Sequence, residues 1–266
     1  MTRVALVTGI APIAAPVIGS QMLLIMPWRG MFGVLAAYGV IIMVLAALFI
    51  VETLPPARRV EKGHSTLGER YRSLFTDRIF VGVAIIGGMT FAGLFAYLSA
   101  SSFLFQDVYG LDPQAYGLLF AANSIGVVIG VQMSSRLAKY FGPAWILAGS
   151  TAVLLGSAIA IVVLELAGAG LLGTVIPLWL FITACGFGFP CVQVLALTNH
   201  GKEAGTAASV LGAMNFGLAG LISPIVGLFG IADAVPMGTV MAITAAVAIA
   251  SLWFIVRPRT VPALSR

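Results

Sequence analysis

The sequence predicts an all-α integral membrane protein with about eight transmembrane helices, on three observations. Of the 266 residues, 60% are apolar and only 9% charged, whereas soluble domains carry about 25% charged residues. Apolar stretches long enough to cross a bilayer, about 20 residues each, recur along the whole chain. Almost all basic residues fall in alternate connections between them. This pattern excludes a soluble enzyme, a disordered protein, a secreted disulfide scaffold and an ordinary nucleic-acid-binding protein.

Eight stretches reach the length of a membrane span. In order they are Val4–Met26, Met31–Val51, Ile79–Phe105, Ala115–Ser135, Ala144–Leu164, Leu171–Leu197, Ala204–Gly230 and Val235–Val256. Most connections between them are short, so consecutive helices are expected to be antiparallel neighbours. No alternation of polar and apolar residues competes with this interpretation as strands.

The distribution of lysine and arginine predicts the orientation of these spans. An even number of spans places both termini on one side, and all 14 basic residues except Arg29 then fall on that side. Basic residues are enriched in cytoplasmic loops. We therefore expect a multi-pass protein of the inner (plasma) membrane with both termini in the cytoplasm.

The chain divides at its one long connection. Residues 1–52 would form two helices, residues 53–78 a cytoplasmic loop and residues 79–266 a six-helix bundle. Thr66 and Glu69 have the spacing of a capping box at the start of a helix in this loop. Apolar residues then share one helical face, namely Leu67, Tyr71, Leu74 and Phe75. This pattern predicts an amphipathic helix on the membrane surface, and a solvated linker without a fixed helix is the alternative.

The first and seventh predicted spans resemble each other. GIAPIAAPVIGS, from Gly9, aligns with GLAGLISPIVGL, from Gly217. Each copy has a proline that removes a backbone donor and small residues that allow close helix packing. The shared positions are Ala15, Pro16 and Gly19 in one copy and Ser223, Pro224 and Gly227 in the other. A parallel repeat of six-helix units explains the match, and chance similarity between glycine-rich helices is the alternative.

Several of these segments resemble one transporter family. APVIGS, from Ala15, resembles the end of the antiporter motif in the fifth helix of the major facilitator superfamily, although Ala15 and Ser20 depart from that motif. SSRLAKYFG, from Ser134, resembles the cytoplasmic basic loop motif of the superfamily. Longer matches are WRGMFGVLAAYG, VETLPPARR, FAGLFAYLSASSFLFQDVYGL, GLLFAANSIGVVIGVQMSSRLAKYFG and EAGTAASVLGAMNFGLAGLISPIVG. Together they resemble the Bcr/CflA branch of drug:proton antiporters, over family helices five to twelve.

The resemblance implies a partial major facilitator fold that exports small-molecule drugs by alternating access, coupled to protons. The residues expected to contact substrate are Thr90, Phe91, Phe95, Tyr97, Asn123, Asn215 and Phe216. For each of them, helix packing or an interhelical hydrogen bond is the alternative role. The two proline segments, with Ala15, Pro16, Gly19, Ser223, Pro224 and Gly227, would act as kinked hinges. Arg136 and Lys139 would form a cytoplasmic gate.

No Asp, Glu, Lys, Arg or His lies in the middle of any predicted span. A proton-coupled exporter normally needs an intramembrane carboxylate, and the resemblance places such acids in the N-terminal half of the family fold. We therefore expect the missing N-terminal helices to be needed for activity. His64 and His200 lie in cytoplasmic loops and are expected to be solvated.

The sequence also limits the other classes of function. No catalytic or metal-ligating cluster lies in the spans, so we predict no enzyme, no metal and no cofactor. The expected partners are the lipid bilayer, a small-molecule drug and protons, with no nucleic acid. A facilitator-superfamily carrier of another solute, such as a sugar or an amino acid, and a non-transporting membrane fragment or scaffold remain alternatives.

Overall fold

The computed structural model describes residues 18, 19, 22, 25–49, 67–230 and 232–260, and every regular element in these ranges is helical. The chain divides into two compact units, Met1–Leu67 and Gly68–Arg266. The first unit contains one described long helix, α1 (Trp28–Phe49). The second contains the remaining helices. Most of the first predicted span, Val4–Met26, lies outside the described residues.

The second unit begins with a short helix, α2 (Leu67–Thr76), and continues with six long helices. These are α3 (Arg78–Ser102), α4 (Pro113–Phe141), α5 (Pro143–Leu166), α6 (Gly170–Thr198), α7 (Ala204–Leu228) and α8 (Val235–Ser251). A π-helical turn, Phe103–Val108, extends α3, and another, Leu252–Val256, extends α8. Seven described helices are long and apolar enough to cross a membrane, each within a few residues of a predicted span.

The helix boundaries follow from capping residues. The Asp77 carboxylate accepts a hydrogen bond from the Ile79 amide at 2.8 Å and starts α3. Asp112 does the same for α4 through the Ala115 amide at 2.6 Å, with Pro113 at the first helical position. Gly142 has a φ of 78°, which favours glycine, so α4 ends there and Pro143 starts α5 at once.

The six long helices of the second unit bury two hydrophobic clusters. The first cluster lies toward the end where α3 joins α4, and its large members include Tyr97, Phe105 and Phe181. The second lies toward the opposite end and includes Phe80 and Leu147. Helix α3 packs against α6, α7 and α8, and α6 also packs against α4 and α5. Helices α4 and α7 are therefore left with the most exposed surface of the six.

Glycines allow α4 and α6 to approach each other at backbone distance. A Cβ placed on Gly186 would lie 2.5 Å from the carbonyl oxygen of Val127, and one on Gly130 would lie 2.9 Å from the Phe187 amide nitrogen. Side chains cannot occupy such positions, so only glycine permits this contact. The hydroxyl of Ser134 also donates to the Phe187 carbonyl at 2.7 Å. The contact between α4 and α6 is thus fixed by backbone geometry.

The predicted amphipathic helix is present as α2, but its apolar face is divided. Leu74 is fully buried in the second hydrophobic cluster, while Tyr71 and Phe75 are exposed. The expectation that all four apolar residues lie together on the membrane is therefore wrong for Leu74, because this side chain fixes α2 to the bundle. Thr66 of the predicted capping box lies outside the described residues.

His200 is not solvated as the sequence predicted. It is only 8% exposed, its Nε2 lies 3.1 Å from Oδ2 of Asp77, and its ring packs edge-on against Phe80 at 5.5 Å. The sequence missed this pair because the two residues are 123 positions apart and meet only when α3 packs beside the end of α6. His64 lies outside the described residues.

Candidate functional site

Four phenylalanines from three helices form an aromatic cluster, which we define as Phe91, Phe95, Phe189 and Phe216. Phe91 lies 6.5 Å from Phe95, 5.1 Å from Phe189 and 5.5 Å from Phe216 between ring centroids. Phe95 lies 6.2 Å from Phe216 with the rings nearly perpendicular. Edge-to-face and tilted pairs at these distances are favourable. The cluster joins α3, α6 and α7 around one concentration of aromatic surface.

The cluster is partly open rather than enclosed. Phe216 is 63% exposed, and Phe91, Phe95 and Phe189 are half-buried. Aromatic faces that are accessible at one side can bind the apolar part of a ligand, because burying them against it removes apolar surface from water. Three of the four residues were predicted from the sequence as substrate contacts, and the structure brings those three together.

Asn215 directly precedes Phe216 of the aromatic cluster in α7 and is 8% exposed. Its side-chain oxygen is buried and has no hydrogen-bond partner among the described residues. Gly87 of α3 lies directly opposite, since a Cβ there would come within 2.9 Å of that oxygen. A buried amide oxygen without a partner costs free energy. A hydrogen-bond donor that reached this oxygen would therefore lower the free energy.

The other predicted contact residues have partners within the bundle. Asn123 donates from Nδ2 to the hydroxyl oxygen of Tyr97 at 3.1 Å, and both side chains are buried. Thr90 donates to the carbonyl oxygen of Ile86 in its own helix at 2.8 Å. The Tyr97–Asn123 pair therefore links α3 to α4, and no described hydrogen bond connects it to the residues of the aromatic cluster.

A second polar cluster lies at the end where α3 joins α4. The Tyr109 hydroxyl donates to the Glu165 carboxylate at 2.5 Å and lies 2.7 Å from the hydroxyl oxygen of Thr174. Thr174 also donates to Glu165 at 3.2 Å. Burial, followed by the bond to Glu165, raises the pKa of Tyr109 to about 12. This cluster holds the α3–α4 turn against α5 and α6.

The predicted hinge residues are only partly described. Ala15 and Pro16 lie outside the described residues, and Gly19 lies within them. In the other copy, Pro224 interrupts the hydrogen bonding of α7. The carbonyl oxygen of Ser223 accepts a long hydrogen bond, 3.4 Å, from Ser99 of α3. A Cβ on Gly227 would meet no described atom within 4 Å, so this end of α7 is open.

Arg136 and Lys139, predicted as a gate, are both exposed on the last turns of α4. They lie at the same end of the bundle as Asp77 and His200, because α3 begins and α4 and α6 end there. Lys139 lies in the final turn of its helix, where a cation interacts favourably with the helix dipole.

Sequence reasoning missed Phe189 and the Tyr109 cluster. Phe189 lies in the segment Gly-Phe-Gly-Phe-Pro of α6, and an aromatic residue in midspan beside a proline was a usable signal. The sequence assigned no role to Glu165, because its partners, Tyr109 and Thr174, come from two other elements. Among the described residues, no group of three or more His, Cys, Asp or Glu could hold a metal ion.

Comparison with known proteins identifies similar sequences. The profile described as Major Facilitator Superfamily matches residues 1–224. The MFS-type transporter YdgK of Bacillus subtilis is 30% identical over 243 residues, which cover 91% of this chain and 60% of that protein.

Two further relatives carry names that refer to resistance. The Bicyclomycin resistance protein homolog of Haemophilus influenzae is 22% identical over 96% of this chain and 64% of its own length. The Multidrug resistance protein MdtL of Vibrio parahaemolyticus is 29% identical over 77% of this chain and 51% of its own length. The chain therefore spans between 51% and 64% of the length of these three relatives.

Proposed function

Since the chain belongs to the Major Facilitator Superfamily, we propose that it exports apolar small-molecule drugs across the inner membrane by proton antiport and alternating access. The relatives are transporters and not enzymes, so the family and the absence of an enzymatic role, both predicted from the sequence, are confirmed. The seven apolar helices and the family membership together indicate a multi-pass membrane protein. Drug specificity, proton coupling and cytoplasmic termini belong to the proposal.

The aromatic cluster is the observation that supports drug binding most directly. It offers four ring faces from three helices, with one ring largely exposed. Rings of this kind bind drugs of different shapes, because contact with an aromatic face needs little directional matching. Two of the relatives are named for bicyclomycin resistance and multidrug resistance, which supports the same class of substrate.

The adjoining Asn215 oxygen gives the proposed site one polar feature. A neutral or cationic drug with a donor group would satisfy this oxygen as the apolar part covers the rings. The gain depends on the donor group, so Asn215 would influence which drugs are carried more than whether transport occurs. We retain Thr90, Tyr97 and Asn123 as supporting residues of the proposed site, with their hydrogen bonds fixing the helix positions.

Proton coupling would involve groups other than the aromatic cluster and Asn215. The sequence has no Asp, Glu, Lys, Arg or His in the middle of a predicted span. The resemblance implies that the coupling acids of this branch lie in its N-terminal half. We therefore assign the described bundle to drug binding and conformational change, with Pro224 as the position in α7 that lacks a backbone donor.

The proposal is tested by drug accumulation in cells without other efflux pumps. The reading frame is expressed with any in-frame upstream codons retained, and uptake of a fluorescent apolar drug is followed with and without a protonophore. We expect lower accumulation that the protonophore abolishes. Phe216→Ala should reduce efflux about fivefold, since one lost aromatic contact is worth about 1 kcal/mol.

Two variants sharpen this experiment. Phe103→Ala removes a similarly exposed ring, 57% against 63%, from outside the aromatic cluster and should leave efflux unchanged. Asn215→Leu should change the ranking of drugs while membrane levels of the protein stay constant. Equal loss in the Phe103 and Phe216 variants, or unchanged resistance to every drug after Asn215→Leu, would contradict the proposed site.

A further inference from the structure

Three arginines and two exposed aromatic rings meet where the start of α3 packs against the end of α8. The arginines are Arg78, Arg257 and Arg259, and the rings are Trp253 and Phe254, which are 45% and 78% exposed. We call this group the arginine corner. None of its members belongs to the aromatic cluster of the proposed drug site.

The contact that forms the arginine corner is close and specific. The hydroxyl of Ser251 donates to the Gly82 carbonyl at 3.0 Å. A Cβ on Gly82 would lie only 2.6 Å from Cγ2 of Val256. The first turn of α3, which carries Arg78, is therefore pressed against the last turns of α8.

One hydroxyl joins the arginines of the two helices. Nη2 of Arg78 donates to the hydroxyl oxygen of Thr260 at 2.8 Å, and the same hydroxyl donates to the Arg257 carbonyl at 2.9 Å. Arg257 adopts a left-handed conformation, with φ of 56°, and is the only described residue other than glycine to do so. Its Nε donates to the Phe254 carbonyl at 3.3 Å, so its side chain lies back over the exposed aromatic turn.

The positive charge of this corner has no acidic counterpart among the described residues. Asp77 directly precedes Arg78, but its carboxylate is occupied by the Ile79 amide and by His200. Arg78, Arg257 and Arg259 have no acidic partner within ion-pair distance among the described residues. The Arg78 guanidinium reaches Thr260, which directly follows Arg259 and bonds the Arg257 carbonyl, so three positive charges belong to one part of the surface. An anion bound there would offset their mutual repulsion.

The neighbouring rings indicate the kind of anion. Tryptophan at the end of a membrane span favours the depth of lipid headgroups, and the exposed phenylalanine beside it offers apolar surface to acyl chains. Arginine binds phosphate oxygens through paired hydrogen bonds. A ligand that places a phosphate at the guanidinium groups and acyl chains along Trp253 and Phe254 fits both features.

We infer that the arginine corner binds the phosphate of an anionic phospholipid, such as phosphatidylglycerol. The bound lipid bridges the start of α3 to the end of α8 and fixes these two helices at one end of the bundle. This site does not rest on the proposed drug efflux, because it concerns a different surface and needs no transport to be detected.

Trp253 provides a direct readout of lipid binding at this corner. The 266-residue chain is reconstituted in phosphatidylcholine mixed with phosphatidylglycerol that carries bromine on its acyl chains, which quenches tryptophan fluorescence on contact. The contribution of Trp253 is the difference between the natural chain and Trp253→Phe. We expect this contribution to show stronger quenching by the brominated phosphatidylglycerol than by brominated phosphatidylcholine.

Matched charge variants separate the corner from general attraction to a basic protein. Arg257→Gln with Arg259→Gln should lower the preference for phosphatidylglycerol on the order of tenfold, since each arginine near a lipid surface contributes substantially to binding. Arg136→Gln with Lys139→Gln removes the same charge at the same end of the bundle and should leave the preference intact. Arg259→Gln alone is a milder variant, because no described hydrogen bond involves its side chain, and it should give an intermediate loss.

Three results would overturn the inference. Equal quenching by the two brominated lipids would exclude a specific site. Equal loss in both double variants would indicate attraction to the overall charge. Displacement of the brominated lipid by inorganic phosphate at constant ionic strength would indicate a site for the free anion instead of a lipid.

Discussion

The two sides of helix α3 differ in the groups that pack against them. On the side that faces α4 and α6, the Asn123 side chain donates a hydrogen bond to the Tyr97 hydroxyl. On the same side, glycines of α4 and α6 lie against backbone atoms of the other helix. On the side of α7, Asn215 leaves a buried oxygen without a partner among the described residues. There, a Cβ on Gly87 would first meet Oδ1 of Asn215, and one on Gly88 would first meet Cδ1 of Leu218, with the Met214 carbonyl oxygen farther away at 3.1 Å.

This difference separates a rigid contact from an adaptable one. Backbone atoms cannot move aside without disturbing a helix, whereas the end of a leucine or asparagine side chain can change rotamer. The aromatic cluster lies on the adaptable side, where Phe216 is exposed. A transporter needs one part of its bundle to keep its shape while another part accommodates substrates, and the two sides of α3 fit these requirements.

The largest effect is expected from adding a methyl group to the rigid side. Gly186→Ala would place its Cβ 2.5 Å from the Val127 carbonyl oxygen and should destabilise the fold by about 3 kcal/mol. Thermal unfolding in detergent measures this change. Gly212→Ala is the control, since its Cβ meets no described atom within 4 Å and alanine favours a helix by roughly 1 kcal/mol. Equal unfolding temperatures for the two variants would show that the α4–α6 contact is not tight.

The two buried asparagines provide the second comparison. Asn123→Leu leaves the buried Tyr97 hydroxyl without its donor and should lower stability by about 1–3 kcal/mol. Asn215→Leu removes an oxygen that has no described partner and should change stability much less. Adding Tyr97→Phe to Asn123→Leu should restore part of the loss, because both polar groups are then absent. A double variant as unstable as the single one would argue against the Tyr97–Asn123 bond.

The smallest effect concerns Tyr109, which directly follows the candidate membrane span that ends at Val108. The pKa of Tyr109 is about 12 in the folded protein and about 10 in an unfolded chain. Because the folded state holds this proton more tightly, its contribution is fully present below pH 10 and is lost as the pH rises toward 12. Unfolding temperatures between pH 9 and 12.5 should therefore fall less steeply for Tyr109→Phe than for the natural chain. Tyr140→Phe, at an exposed position, should leave the slope unchanged.

Particular residues show how far the sequence could predict the site. Phe91 and Phe95 are one helical turn apart, so the sequence alone places them on one face. The family resemblance added Phe216 to the predicted contact residues. Phe189 was missed because no local sequence pattern shows that α6 packs against α3. The sequence likewise predicted a helix from the spacing of Leu67, Tyr71, Leu74 and Phe75 but could not show that Leu74 is buried in the second hydrophobic cluster.

The sequence by itself determined the membrane class, the approximate spans and the family, because hydrocarbon thickness and loop charge act on each segment independently. The tertiary structure alone decided the partners of the polar residues. His200 meets Asp77, Asn123 meets Tyr97, and Tyr109 meets Glu165 only after separate helices pack together. A hydrogen bond depends on positions within a few tenths of an ångström, and local sequence does not specify helix packing to that precision.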